Sequence, residues 1–314
     1  MKIIVTGGAG FVGSHLCLRL LERGDSVVCL DNFATGIMRN VQPLLEKFPT
    51  KFVLLEHDVT MVLPIEKFGD IEQIYHLACP ASPADYEQIP LQTLWASAAG
   101  TKNMLEVASK KNAAFFLASS SEIYGEPLEH PQRENYFGNA DTVGERSCYF
   151  EGKRFAESLT FHYWKHFQFP LVMARIFNTY GPQMRPSDGR VIPNFIQAAR
   201  AGEPLQVYGD GLQTRSFCYV DDLIDLMLVS METPKYEGPL NFGNPEEVTM
   251  LELAKIIVEL SGSESLLSFI DLPLGDPLKR RPDILKIQQL FGFEPQVKLR
   301  EGLQKTLEYF AKFS

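Results

Sequence analysis

Apolar positions in the first half of the chain follow two alternating patterns. Short runs rich in β-branched and aliphatic residues at Lys2–Thr6, Ser26–Leu30, Phe52–His57, Gln73–Leu77, Ala114–Ser119 and Leu171–Ile176 predict strands. Between the first two, Val12, Leu16, Leu20 and Leu21 form one stripe of a helix over Gly13–Arg23, closed by Gly24. Leu91–Lys110 and Phe150–Phe167 are long enough for two further helices. The strands are apolar on both faces, so the sheet they build is covered on both sides. The expected fold is α/β, a doubly wound parallel sheet.

Beyond about residue 177 the texture changes. Glycine and proline become dense (Gly181-Pro182, Pro186, Gly189, Pro193, Gly202, Pro204, Gly209, Gly211), and apolar runs become short. Thr249–Ser261 reads as a helix with Thr249 and Glu252 as a capping box, and a last helix is expected from Arg300 to Phe313. The division that follows is a first domain over 1–177 and a smaller C-terminal α/β lobe over 178–314. Chain near 220–243 (Val220–Glu232 and Leu240–Gly243) is expected to return to the first domain. No internal repeat appears.

Composition narrows the function classes. Thirty Lys+Arg against 39 Asp+Glu leave a net charge of −9. Nucleic acid or an anionic membrane would demand a basic surface, so neither is an expected partner. A phosphorylated small molecule needs only a few local arginines and backbone N–H groups. No apolar run reaches the roughly 18 residues of a membrane span, and the first strand opens at residue 2, which leaves no room for a signal peptide. A cytoplasmic protein is expected. The cysteines (Cys17, Cys29, Cys79, Cys148, Cys218) are scattered, with no C-x-x-C pair, so neither a disulfide framework nor a metal site is expected. His162 and His166 share a helical face but sit among Tyr163, Trp164 and Phe167, which favours packing over ligation.

Two constellations carry chemistry. Gly7-Gly8-Ala9-Gly10-Phe11-Val12-Gly13 is a G-x-x-G-x-x-G turn between the first strand and its helix. Gly7, Gly10 and Gly13 let backbone approach a pyrophosphate, and the helix N-terminus behind Phe11 and Val12 offers N–H donors and positive dipole. Asp31 ends the next strand eighteen residues beyond Gly13. That is close to the spacing of an acid bonding the adenosine ribose, and its charge repels a 2′-phosphate. A Rossmann-type NAD site is therefore expected, with Asn32, Asp58, Val59, Leu77 and Ala78 as further strand-end contacts.

The second is Tyr149 and Lys153, four apart on one helical face. A phenol with a free pKa of about 10 is a poor base at neutral pH; an adjacent ammonium is expected to lower it. Ser120, at the end of the strand Ala114–Ser119, would lie beside the nicotinamide and bridge a substrate oxygen to the tyrosine; as a bland alternative it caps the following segment.

The glycine turn, the Ser121-Glu122-Ile123-Tyr124-Gly125 run and the Tyr149/Lys153 pair together resemble the extended short-chain dehydrogenase/reductase family, over nearly the whole chain. Asp31-Asn32-Phe33, Pro80-Ala81-Ser82-Pro83, Ala174-Arg175-Ile176-Phe177-Asn178, Gln213-Thr214-Arg215 and Lys279-Arg280-Arg281-Pro282-Asp283 are similar to blocks of its members that decarboxylate UDP-glucuronate. The resemblance implies an NAD-dependent enzyme making UDP-xylose through a transient 4-keto sugar, without net redox. It implies Ser120 as the hydroxyl assisting Tyr149, Ser121 and Glu122 near the departing carboxylate, and Arg280 assisting decarboxylation. Asn178, Arg190, Arg215 and Asp276 would contact the nucleotide, Tyr208 the uracil, and Pro83 and Tyr86 the sugar. A homodimer built on helices Leu91–Lys110 and Phe150–Phe167 is also implied. The alternatives are a nucleotide-sugar 4,6-dehydratase or 4-epimerase, or a non-catalytic dinucleotide-binding protein. Ser97, Cys79, Glu145 and Phe150 depart from the family pattern.

Overall fold

The computed structural model describes residues 1–272 and 278–312. Six strands, β1 (Lys2–Thr6), β2 (Ser26–Asp31), β3 (Phe52–Glu56), β4 (Gln73–His76), β5 (Ala114–Ser120) and β6 (Leu171–Ile176), join Pro239–Phe242 in one parallel sheet. Its order is Pro239–Phe242, β6, β5, β4, β1, β2, β3. The order reverses direction between β1 and β4, which opens a crevice at the carboxyl edge. The segment Pro239–Phe242 thus adds a seventh strand from late in the chain.

Two apolar layers sandwich this sheet. Alternate residues of β1, Ile3 and Val5 on one face and Ile4 on the other, enter separate core clusters, and all three are fully buried. The helix Phe11–Glu22 packs Leu16, Cys17 and Leu20 into the first cluster. Helices Thr101–Lys111 and Ser147–Phe167 cover the second through Met104, Leu105 and Ala156.

The stretch expected as one helix, Leu91–Lys110, is interrupted. Pro90–Trp95 and Thr101–Lys111 are α-helical, and Ala96–Gly100 between them is a π turn. Ser97 in that turn meets Gly152 of the helix Ser147–Phe167 so closely that a Cβ at 152 would lie 3.0 Å from the Ser97 side chain. This approach sets the position of the helix carrying Tyr149.

The later chain supplies smaller sheets. Glu247–Thr249, Thr214–Ser216 and Lys279–Arg280 form one, with Arg280 in register with Arg215. Thr249 caps the helix Met250–Ser261 with the expected reciprocal bonds to Glu252.

The glycine turn is sterically fixed. Gly7 has φ +69°, and a Cβ on Gly13 would fall 2.1 Å from the Gly7 carbonyl oxygen. Gly13→Ala should therefore lower stability by about 1–3 kcal/mol, measured as an earlier denaturant midpoint. An unchanged midpoint would contradict this packing.

Candidate active site

A cleft of about 2220 Å³ runs along the carboxyl edge of the sheet and into the C-terminal lobe. Typical small-ligand pockets hold roughly 300–1000 Å³, so this one has room for two ligands end to end. Gly7, Gly10, Phe11, Val12 and Gly13 line one end, and no side chain caps the helix that starts at Phe11. Its free N–H groups suit a pyrophosphate.

Asp31 stands beside them. Its carboxylate accepts from Ala9 N and Phe33 N, both at 2.9 Å; burial outweighs these bonds and raises its pKa. Asp58 faces the opposite balance. Burial pushes its carboxyl up, but bonds from Thr60 and Asn32 hold it below its ordinary value. Val59, Leu77 and Ala78 line the same region. The Leu77 and Ala78 amides both donate to Thr6 Oγ1 at 3.1 Å, and that hydroxyl bonds His76 Nδ1 at 2.8 Å. Burial, with Lys153 nearby, pushes His76 down to about 3, so it is a neutral strut. These features fit a dinucleotide.

The middle of the cleft brings Tyr149, Lys153 and Ser120 together, each 6% exposed. The Tyr149 hydroxyl faces the Ser120 side chain. The Tyr86 ring stacks on that of Tyr149, with centroids 5.0 Å apart and planes 7° from parallel. Lys153 Nζ donates to the Ala118 carbonyl at 2.8 Å and lies 5.8 Å from the centre of the tyrosine ring. Here one expectation is corrected. The phenol is not lowered: burial raises its pKa far above the ordinary value, Cys79, Glu122 and Tyr86 raise it further, and Ser120 opposes them. Lys153 is committed to a backbone carbonyl. A positive charge brought into the cleft would lower the phenol again.

Beyond Tyr149 lies a cationic corner. Ser121 and Glu122 open the turn after β5, where Ser120 Oγ accepts from Glu122 N at 3.2 Å. The cap and the Tyr149 partner are thus the same serine. Glu122 pairs with Arg280, which arrives from the C-terminal lobe, is 3% exposed, and also donates to the Gly125 carbonyl at 3.1 Å. Burial pushes the Glu122 carboxyl up, but Arg280, Arg146 and Arg215 together hold it below its usual range. Three guanidinium groups thus act on this one carboxylate. Arg280, which the resemblance names and the basic run Lys279-Arg280-Arg281 alone would place on a solvated surface, is buried.

Further along, Asn178 Nδ2 is buried with no hydrogen-bond partner. An orphaned donor of this kind marks a place for an acceptor. Arg190 pairs with Asp188 at 2.8 Å, Arg215 Nη1 donates to the Thr214 carbonyl at 2.9 Å, and Pro83 and the half-exposed Tyr208 line the walls. Asp276 lies outside the described residues. Among the described residues no three His, Cys, Asp or Glu side chains cluster to hold a metal. The sequence reading missed Arg146, whose Nε donates to the Tyr86 hydroxyl at 2.9 Å. Its position three residues before Tyr149, one helical turn away, was the available signal.

The fold and this cleft define a nucleotide-dependent enzyme of the doubly wound class. The chain belongs to the NAD dependent epimerase/dehydratase family, whose model matches residues 3–243. Its cofactor is NAD. It is 47% identical over 310 residues to UDP-glucuronic acid decarboxylase 1 of Arabidopsis thaliana, covering 99% of this chain and 70% of that protein. UDP-glucuronic acid decarboxylase 1 of Danio rerio is 48% identical over 311 residues, covering 99% and 73%. Among solved structures, UDP-glucose 4-epimerase from Thermotoga maritima superposes with a TM-score of 0.91 at 28% identity, covering 100% and 99%. UDP-glucuronic acid 4-epimerase from Bacillus cereus, in complex with UDP-glucuronic acid and NAD, gives 0.90 at 29%, covering the whole of both chains.

If guanidinium charge holds Glu122 ionised, Arg280→Met should leave burial dominant and move the Glu122 titration above the free value of about 4.3. Carbon NMR of labelled glutamate checks this, and an unmoved midpoint would contradict the assigned balance. By linkage, the wild-type contribution of this group to stability is present above the unfolded pKa and is lost as pH falls through the folded one.

Proposed function

We propose that the protein converts UDP-glucuronate to UDP-xylose and CO₂ through a transient C4 ketone, with no net redox. The observation that carries this reading is the adjacency of two groups: a hydroxyl pair, Tyr149 and Ser120, and a buried cationic corner, Arg280 with Arg146 and Arg215 around Glu122. The relatives' near-half identity over the whole chain supports it.

Gly7, Gly10, Gly13 and Asp31 would hold NAD, which would supply a reversible hydride acceptor for C4. The protein does the rest. Tyr149 Oη takes the proton of the C4 hydroxyl, with Ser120 holding the oxygen between them. With a ketone at C4 the C6 acid is a β-keto acid, and the C5–C6 bond breaks without a metal. Its electron pair moves toward the C4 oxygen, where hydrogen bonds from Tyr149 and Ser120 hold the developing charge. Arg280 seats the carboxylate before CO₂ leaves, and Ser121 and Glu122 border it. A solvent proton adds to C5, and Tyr149 returns its proton to the C4 oxygen. Asn178, Arg190 and Arg215 hold the diphosphate and ribose, which suits charge-assisted bonding to phosphate. Tyr208 stacks near the base, and Pro83 and Tyr86 wall the sugar.

Purified protein should release CO₂ from UDP-glucuronate without added reductant. Tyr149→Phe should cut that rate by about two to four orders of magnitude. Near-normal turnover in that variant would overturn the assignment of Tyr149. Epimerised substrate with no CO₂, or a 4-keto-6-deoxy product from UDP-glucose, would move the protein to a sister activity.

We further read the chain as a homodimer working in the cytoplasm. All five cysteines are free, as a reducing compartment requires. Leu91, Trp95 and Phe155, on the two helices expected at the interface, are 67%, 63% and 52% exposed. Apolar side chains gathered in this way suit burial against a second copy. Phe155→Asp should shift the sedimentation coefficient from dimer to monomer; a wild-type monomer would refute this part.

A further inference from the structure

A chain of buried hydrogen bonds runs beneath the cleft, and of its members only Ser119 lines it. It begins on the helix of Tyr149 and Lys153. Glu157, one turn beyond Lys153 on the same face, accepts from Ser119 Oγ at 2.6 Å. Arg175 on β6 grips Glu157 with two bonds, Nε at 3.0 Å and Nη2 at 2.8 Å. Arg175 Nη1 donates onward to the Tyr124 hydroxyl at 3.0 Å and to the Glu134 carbonyl at 2.9 Å. Tyr124 closes the turn that begins at Ser121 and Glu122.

From Tyr124 the chain runs to the sheet's edge strand Pro239–Phe242 and on toward the C-terminal lobe. Burial pushes this phenol up to about 12, so it stays protonated and donates to Asn241 Oδ1 at 2.7 Å. Asn241 Nδ2 donates to the carbonyls of Gln132 and Asp283 at 2.9 and 3.1 Å. Gln132 pairs with the main chain of Arg281: its Oε1 accepts from Arg281 N at 2.8 Å, and its own N donates to Arg281 O at 2.9 Å. Arg281 follows Arg280. Tyr124, Gln132 and Asn241 have no exposed surface, and Arg175 is 8% exposed.

We infer that Arg175, Tyr124 and Asn241 are positioning residues that hold Arg280 against Glu122 in register with the Tyr149 helix, and so favour the decarboxylation step. The physical reason is that Arg280 comes from a different lobe than the turn that carries Glu122. A buried charge reaching across such a junction needs a fixed backbone on both sides. The network supplies both anchors, Tyr124 on the Glu122 turn and Gln132 bonded to the main chain of Arg281 next to Arg280, joined through Asn241. Arg175 and Glu157 tie the same junction to the helix that carries the proton-transfer group. A network of this kind is either fully satisfied or costly, and this one is satisfied at each of the bonds named.

The inference rests on the decarboxylase reading, and its test separates the two. Tyr124→Phe keeps the ring, which packs on Tyr136 and Phe177, and deletes the one hydroxyl that joins Arg175 to Asn241. Calorimetry with UDP and with UDP-glucuronate, beside CO₂ release and detection of the 4-keto acid, reads the outcome. UDP affinity should be unchanged. UDP-glucuronate binding and CO₂ release should each fall about tenfold, the scale of one lost bond to a charged group, while the 4-keto acid builds up. In an Arg280→Met background the same substitution should cost nothing further, because its effect passes through Arg280. Gln132→Met, which cuts the chain at its other end, should give the same split. Equal losses for UDP and UDP-glucuronate, no loss at all, or additive losses with Arg280→Met would each overturn the inference. Failure of the wild-type protein to release CO₂ would instead overturn the decarboxylase reading.

Discussion

The arrangement of the site depends on one ion pair. Arg280 and Glu122 come from opposite lobes and meet in a place where neither has much solvent. Two charges removed from water cost more than their mutual attraction returns unless further hydrogen bonds satisfy them. Arg280 finds one such bond at the Gly125 carbonyl, while its Nε has no protein partner. Arg146 and Arg215 act on the same carboxylate and help to hold it ionised.

Opposite this corner, three consecutive residues of β5 meet one face of one helix. Lys153 bonds the Ala118 carbonyl, Glu157 bonds the Ser119 hydroxyl, and Tyr149 faces Ser120. Positions 149, 153 and 157 recur at the four-residue spacing that brings side chains onto one stripe. The strand therefore positions the helix as much as the helix positions the tyrosine. Close approach of Ser97 to Gly152 fixes the helix from its other side. The residues proposed for proton transfer at C4 and for charge handling at C6 thus sit on rigid elements that meet at the end of β5.

Much of this was legible beforehand where the cause is local. The glycine turn is dictated by sterics at Gly7 and Gly13, and the alternation of strand and helix by burial on two faces, so both could be read from residue order. Tyr149 and Lys153 could be paired from helical spacing alone. What could not be read is what depends on distant chain. The π turn at Ala96–Gly100 answers a neighbouring helix rather than its own sequence. The phenol of Tyr149 is governed by burial, whereas the four-residue spacing had suggested that Lys153 would dominate. Arg280 was named by resemblance alone; its burial comes from the strand Lys279–Arg280 pairing with Thr214–Ser216, which residue order does not show. The network through Arg175 and Asn241 joins residues more than sixty apart and leaves no periodic trace.

The most direct measurement is a crystal structure of the protein with NAD and UDP-glucuronate bound. The expected result places the C4 hydroxyl against Tyr149 and Ser120 and the C6 carboxylate within hydrogen-bond reach of Arg280. A sugar turned so that C6 meets only neutral groups, with Arg280 still paired to Glu122 alone, would contradict it.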